Sequence, residues 1–255
     1  MIMRDYLEQK RRALTAGANR FFLPEGLTAD NVLAAYQFKG VSAESYALQD
    51  LSGHGYHLTK GSGTYNGHTY TPSWGYSTGF SWSAVYGGNS GWLDNAVLNA
   101  QAIRAVIVRY ADLTQDNRAC LVTAGGDNGR CQLMAATSVY LNDGGYHNYG
   151  GPGFVWYNEH WRSSSTYYQS AVAGANIGTS GQIYINGTGH NTTDREAWTT
   201  KGASAVWRTF GNVVASASDL VNAVFAGKKI ICAAFYNVAL NAEQHKQVAD
   251  AMALI

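Results

Sequence analysis

Near its C-terminus the chain runs Ile230-Ile-Cys-Ala-Ala-Phe-Tyr236, then Asn-Val-Ala-Leu, then Asn241. An apolar run of this length suits a strand buried on both faces and is too short for an ordinary helix. Asn241 and Gln244 stand in capping-box spacing, and His245, Val248, Ala249 and Met252 then fall on one face of a helix. A core strand of this kind needs a partner strand. The chain offers one almost two hundred residues earlier, at Val32 to Phe38, so the two ends are expected to meet.

At 255 residues, one domain can remove roughly 70–75% of its unfolded surface from water. Glycine (29), tyrosine (17) and tryptophan (7) are abundant, and only 14% of residues are charged. Many short strands separated by turn residues point to a sandwich or barrel. The net charge of +1 supplies no field for nucleic acid or an anionic membrane. No apolar run approaches the ~20 residues of a membrane span. No secretory signal peptide is visible, because charge follows Met1 to Asp5 directly.

Residues 1–31 read differently from the rest. Tyr6 to Leu14 is rich in helix formers, and residues 1–20 carry five basic against two acidic side chains. This N-terminal helical arm is a solvated helix or a docking segment, for a partner or for other copies of the chain. Beyond it, residues 32–255 form the main domain. Leu33 to Phe38 is its first strand, and Asp50-Leu-Ser-Gly-His-Gly-Tyr-His-Leu58 is a turn in which Asp50 and Ser52 bond the backbone while Gly53 and Gly55 turn left-handed.

Tyr36-x-Phe38, Asp50-x-Ser-Gly-x-Gly55, Tyr184-Ile-Asn-Gly187 and Phe235-Tyr-Asn-Val-Ala-Leu-Asn-Ala-Glu-Gln244 together resemble the laminin G-like branch of the concanavalin A-like lectin/glucanase superfamily. The resemblance covers about residues 32–255. It implies an all-β fold, a two-sheet antiparallel jelly-roll sandwich with neighbouring first and last strands, here carrying the N-terminal helical arm and a short C-terminal helix.

Ala102 to Tyr110 is a strand with one arginine per face, Arg104 and Arg109, a pattern expected of a strand that is not wholly interior. Cys120-Leu-Val-Thr and Cys131-Gln-Leu-Met-Ala read as a hairpin. A Cys120–Cys131 bond would fit that hairpin, although the odd cysteine count favours free thiols. Cys232 lies in the apolar run as packing. Gly181 to Gly187 is a strand entering an Asn-Gly turn.

Glycan-cleaving members of the superfamily carry Glu-x-Asp-x-Glu on one strand. Their chemistry requires carboxyl groups roughly 5–5.5 Å apart for retention or 6.5–9.5 Å for inversion. None of the six glutamates, Glu8, Glu25, Glu44, Glu159, Glu196 and Glu243, falls in that spacing. Glu159 and Asp143 are the candidates for a site assembled from different strands. No nucleophile elbow, phosphate-binding loop or zinc-ligand spacing is present. The resemblance makes calcium a candidate ligand, held by Asp50, Asp127, Asn128, Asn142 or Asp143 with backbone carbonyls.

Aromatic residues remain in surplus. Tyr65, Tyr70, Trp74, Tyr76, Phe80, Trp82, Tyr86 and Trp92 crowd one segment and offer ring faces. Tyr146, Tyr149, Trp156, Tyr157, Asn158 and Trp161 mix rings with amides, as sugar recognition requires. These six are the expected ligand-binding residues. The reading is a non-catalytic, lectin-like module that binds a glycan on a cell surface or matrix. The resemblance adds an extracellular or virion-surface location and the role of a phage or viral adhesin. The alternatives are a structural or protein-interaction module docking through its basic N-terminal helix, and a glycoside hydrolase or lyase with a cross-strand carboxylate site.

Overall fold

The computed structural model describes residues 22–65, 67–82, 91–111, 119–122, 132–135, 139–142, 170–176, 182–190, 209–210 and 229–255. In chain order their strands are β1 (Val32–Gln37), β2 (Thr59–Gly61), β3 (Gly63–Tyr65), β4 (His68–Tyr70), β5 (Ser73–Gly75), β6 (Gly79–Ser81), β7 (Trp92–Asp94) and β8 (Ala105–Ala111). There follow β9 (Ala119–Val122), β10 (Gln132–Ala135), β11 (Val139–Asn142), β12 (Ala171–Asn176), β13 (Gln182–Ile185), β14 (Thr188–His190) and β15 (Lys229–Tyr236). Helices α1 (Glu44–Ala47), α2 (Ala96–Asn99) and α3 (Ala242–Ala253) punctuate them. Every pairing is antiparallel, and the protein is an all-β sandwich.

The apolar run becomes β15 and organises the main sheet. That sheet runs β14-β13-β12-β8-β15, and beyond β15 two strands share one edge. β1 pairs with Cys232 to Tyr236, and β6 takes Lys229 and Ile230. The two ends of the chain therefore meet, as the sequence implies. An irregularity in the β8 register between Ile230 and Cys232 places Ile231 and Cys232 on the same face, while Ile230, Ala233 and Phe235 face the other.

The inner face is aromatic. Tyr36, Phe38, Phe80, Phe210 and Phe235 form mainly edge-to-face pairs with centroids 5.4–6.2 Å apart. Leu93, Leu98, Ile103 and Phe210 close the core over them. The outer face is built of small and branched residues, Ala105, Ile107, Val172, Cys232 and Ala234, and α3 lies against it. His245, Val248, Ala249 and Met252 are the buried residues of α3, the face expected from their spacing.

Both ends of α3 are tied down. Asn241 Oδ1 accepts from Gln244 N–H at 2.9 Å, and Asn241 N–H donates to Gln244 Oε1 at 3.0 Å. At the other end the Arg109 guanidinium donates to the carbonyl of Met252 at 2.6 Å, where a cation also suits the helix dipole. The arginines agree with a strand that is not wholly interior: Arg104 is exposed just before β8, and Arg109 is half-buried on it. β8 is nonetheless central in the sheet, between β12 and β15, and Arg109 reaches from it to the helix end. Burial pushes the Cys232 thiol up to about 12, against the opposing pull of Arg109, so Cys232 is an inert packing group.

Of the expected N-terminal arm, residues 1–21 lie outside the described residues. Residues 22–31 pack on the domain: Phe22 is buried, and its carbonyl accepts the Tyr236 hydroxyl at 2.6 Å. The Asn-Gly turn is present between β13 and β14, with Asn186 at φ 50° and Gly187 at φ 79°. A Cβ at residue 187 would lie 2.7 Å from Lys246 Cα, so glycine there also admits α3. β9 and β10 pair as expected, with Cys120 opposite Met134; Cys131 lies outside the described residues.

Candidate functional site

The six expected ligand-binding residues, Tyr146, Tyr149, Trp156, Tyr157, Asn158 and Trp161, lie outside the described residues, as do Glu159 and Asp143. The described region carrying comparable chemistry is 59–94, where three short ribbons, β2/β7, β3/β4 and β5/β6, expose parts of an aromatic set. Phe80 and Trp82 turn into the core, and Trp74, on the same face as Phe80, packs half-buried against that core. Tyr70 and Trp92 are also half-buried, and Tyr76 at the β5/β6 turn is 59% exposed. Tyr65 and Tyr86 have no described side chains.

Two of these rings, Trp92 and Trp74, are held by specific contacts. Trp92 is opposite Gly61 in the β2/β7 register, and its indole lies where a side chain at residue 61 would have to go. Trp74 is opposite Phe80, and its Nε1–H donates to the carbonyl of Phe38 at 2.8 Å. Gly40 N–H donates to the carbonyl of Tyr76 at 2.7 Å, joining this turn to the end of β1. Hydroxyls accompany the rings, with Ser62 Oγ and Thr71 Oγ1 hydrogen-bonded at 2.5 Å.

A second surface feature is the loop after α1, and Asp50 is its anchor. Asp50 Oδ1 accepts from Ala35 N–H at 3.1 Å and Ser52 N–H at 2.9 Å. Oδ2 accepts from the Ser52 hydroxyl at 2.8 Å and from Tyr56 N–H at 3.1 Å. Asp50 N–H donates to His57 Nδ1 at 3.1 Å, and the Tyr36 hydroxyl donates to the carbonyl of Tyr56 at 2.6 Å. Burial, then the charges of Asp50 and Tyr56, push the Tyr36 phenol well above its usual range. Gly53 and Gly55 take the expected positive φ. The loop holds His54 stacked on Tyr56, with centroids 6.1 Å apart, on a hydrogen-bonded frame.

This wiring decides what the loop can do. His54 Nδ1 is 3.1 Å from Ser52 Oγ, but the carboxylate contacts the serine and not the histidine. An activated serine needs the carboxylate behind the imidazole, so the order is wrong for acyl transfer. As a calcium ligand Asp50 is equally ill placed, because protein donors already occupy both oxygens. Among the described residues no three His, Cys, Asp or Glu converge in a way that could hold a metal ion. Asp127, Asn128 and Asp143 lie outside them, and Asn142 is described only as a strand position.

A buried network fastens this region to a distant part of the chain. Asp94 Oδ1 accepts from Asn99 Nδ2 at 2.7 Å and from Thr209 N–H at 3.1 Å. The Thr209 hydroxyl bonds Asn99 Oδ1 at 3.0 Å, and Leu93 and Phe210 form a β-bridge beside it. Nothing in the sequence marked Thr209 as a partner across more than a hundred residues. The sorting of the 59–94 rings was readable in principle, from the two-residue spacing of Phe80 and Trp82.

No protein-family model and no curated protein sequence matches this chain. Among solved structures, it is similar to a botulinum neurotoxin type C chain, from a study of cell entry dependent on two ganglioside molecules. The TM-score is 0.51 at 11% identity, covering 88% of this chain and 52% of that one. It is also similar to Trypanosoma rangeli sialidase, with TM-score 0.49, 11% identity and coverage of 97% and 37%. Domain 4 of an extracellular arabinanase from Geobacillus stearothermophilus, solved with arabinotriose, gives TM-score 0.47, 15% identity and coverage of 86% and 98%. The chain spans about half the length of the neurotoxin chain that it matches. The likeness to the neurotoxin bears on fold and agrees with the β-sandwich seen here.

Proposed function

We propose that the chain is a non-catalytic binding module of the laminin G-like type, recognising a glycan on a cell surface or matrix. Its setting is extracellular, as an adhesin on a phage or virus. The observation that carries this is the aromatic content of residues 59–94, where Tyr76 is exposed and Tyr70 and Trp92 are half-buried, with the Ser62 and Thr71 hydroxyls on the same segment. Apolar sugar faces stack on such rings, and sugar hydroxyls need donors and acceptors nearby. The fold shared with a ganglioside-dependent neurotoxin supports the reading by analogy. Tyr146, Tyr149, Trp156, Tyr157, Asn158 and Trp161 are proposed as further contacts on sequence grounds.

A glycan array tests this with the wild-type protein and three variants, Tyr76→Ala, Trp156→Ala and Trp161→Ala. Binding by the wild type, lost in one of the variants with the fold intact by circular dichroism, supports the reading and locates the ligand. Tyr76 is the cleanest probe because its ring is mostly exposed. Wild-type protein that retained no glycan but assembled through residues 1–31 would replace the proposal with the protein-docking alternative.

A further inference from the structure

The first buried residue of α3 is a histidine in a closely built cage. His245 is 1% exposed, and its ring stacks on Tyr184 of β13, with centroids 3.6 Å apart and planes 13° apart. Below it lies Gly174 of β12, where a Cβ would come within 2.8 Å of His245 Nδ1. Asn176, two residues along the same strand, fixes the tautomer. Its Nδ2 donates to the carbonyl of Leu240 at 2.6 Å, and its Oδ1 accepts from Leu240 N–H at 2.9 Å. The Asn176 oxygen therefore faces His245 Nε2 at 3.1 Å, so Nε2 carries the hydrogen and Nδ1 bears the lone pair. Nδ1 is buried and has no hydrogen-bond partner.

We infer that α3 is an acid-released cover: protonation of His245 at Nδ1 has no acceptor in this cage, so acidification frees the helix from the outer face of the sheet. Among the described residues the surroundings offer the imidazolium no counter-charge. On β12 none of the described residues 171–176 titrates, and on β13 the titratable neighbour is the Tyr184 phenol. On β8, Arg109 is engaged with Met252 at the opposite end of α3. β15 contributes Cys232 and Tyr236, both held neutral by burial, and on β14 Thr188 and Gly189 carry no charge, while the side chain of His190 lies outside the described residues. The entry segment contributes Glu25, which meets α3 through its backbone groups at Gln244 and Gln247. On α3 itself Glu243, Lys246 and Asp250 are exposed, and Lys246 pairs with Asp250.

Burial holds the imidazole down, to about 3. A released helix exposes its histidine to water, where the ordinary value of about 6.5 applies. Above that value both states are neutral and release is not favoured. Below it the released state alone gains the proton, so its population should rise about 25-fold between pH 7 and pH 5. The face uncovered includes Ile107, Val172, Cys232 and Tyr236.

Hydrogen exchange on the whole chain at pH 7 and pH 5, corrected for intrinsic rates, reads this directly. The expected result is an approximately 25-fold loss of protection in residues 242–253, with residues 105–111 and 229–236 unchanged. His245→Gln, a neutral donor in place of the imidazole, should abolish the loss, while Asp250→Asn should leave it intact. Equal loss in helix and strands, no loss at all, or a loss that vanishes in Asp250→Asn would overturn the inference. Should His245→Gln not fold, an NMR titration of the wild-type imidazole decides: a neutral ring in the folded state at pH 5 supports the cover, and a protonated one overturns it.

Discussion

The two faces of the main sheet are buried to a similar degree and held by different physics. On the inner face, bulky rings interlock, and Phe38, Phe80, Phe210 and Phe235 offer no titratable atom. On the outer face, Ala105, Cys232, Ala234 and Gly174 are small because a helix must approach, and polar contacts from Asn176, Arg109 and Asn241 set its position. Phenylalanine rings that fill volume give stability that is indifferent to acid. A helix seated through hydrogen bonds and one buried imidazole gives stability that acid can remove. One sheet thus carries a permanent face and a conditional one.

The comparison predicts its own largest effect. Phe235→Ala removes a ring from the centre of the aromatic face and should destabilise the protein by about 3–5 kcal/mol, read from denaturant melts. That loss should be the same at pH 7 and pH 5. A pH-dependent loss would break the division between the faces. On the outer face, Asn176→Ala strips partners from both backbone groups of Leu240 and from His245 Nε2. The expected loss is about 2–3 kcal/mol. Its signature is raised exchange in α3 before the strands.

Acid provides the next test. The folded-state value of His245 lies below its unfolded value, so its contribution is intact above pH 6.5 and is lost as pH falls towards about 3. The slope rises from half its limiting value at pH 6.5 towards about 1.4 kcal/mol per pH unit, giving about 1.7 kcal/mol between pH 6.5 and pH 5. His245→Gln should flatten this part of the stability profile, whereas Phe235→Ala should lower the profile without changing its slope.

Much of the frame was legible because local chemistry specified it. The run Ile230 to Tyr236, the Asn241 cap, the Asn186-Gly187 turn and the Asp50 loop each carry residue types that few other conformations accommodate. Features that depend on distant segments were not. Thr209 beneath Asp94, the sharing of one β15 edge by β1 and β6, and Arg109 crossing to Met252 are tertiary facts with no local signature. The strand around Arg109 shows the difference. Alternation placed the arginines on opposite faces, but could not say that a helix end waits over one of them. For the candidate site, sequence identified an aromatic surplus at residues 65–92, and the fold then divided those rings between core and surface.

The smallest predicted effect is the most local one. Asn241 holds the first turn of α3 through a reciprocal bond with Gln244, and the same Gln244 side chain donates from Nε2 to the carbonyl of Glu25 at 3.1 Å. Asn241→Ala should therefore cost about 1 kcal/mol, the usual worth of an N-cap, with Asn241→Ser recovering most of it. Because the cap also orients the strap at Glu25, exchange should rise in residues 242–246 and in 25–28 together. If only the helix responded, the entry segment would be held independently of α3. The conditional face would then be the helix alone, with the chain's first described residues belonging to the permanent part of the fold.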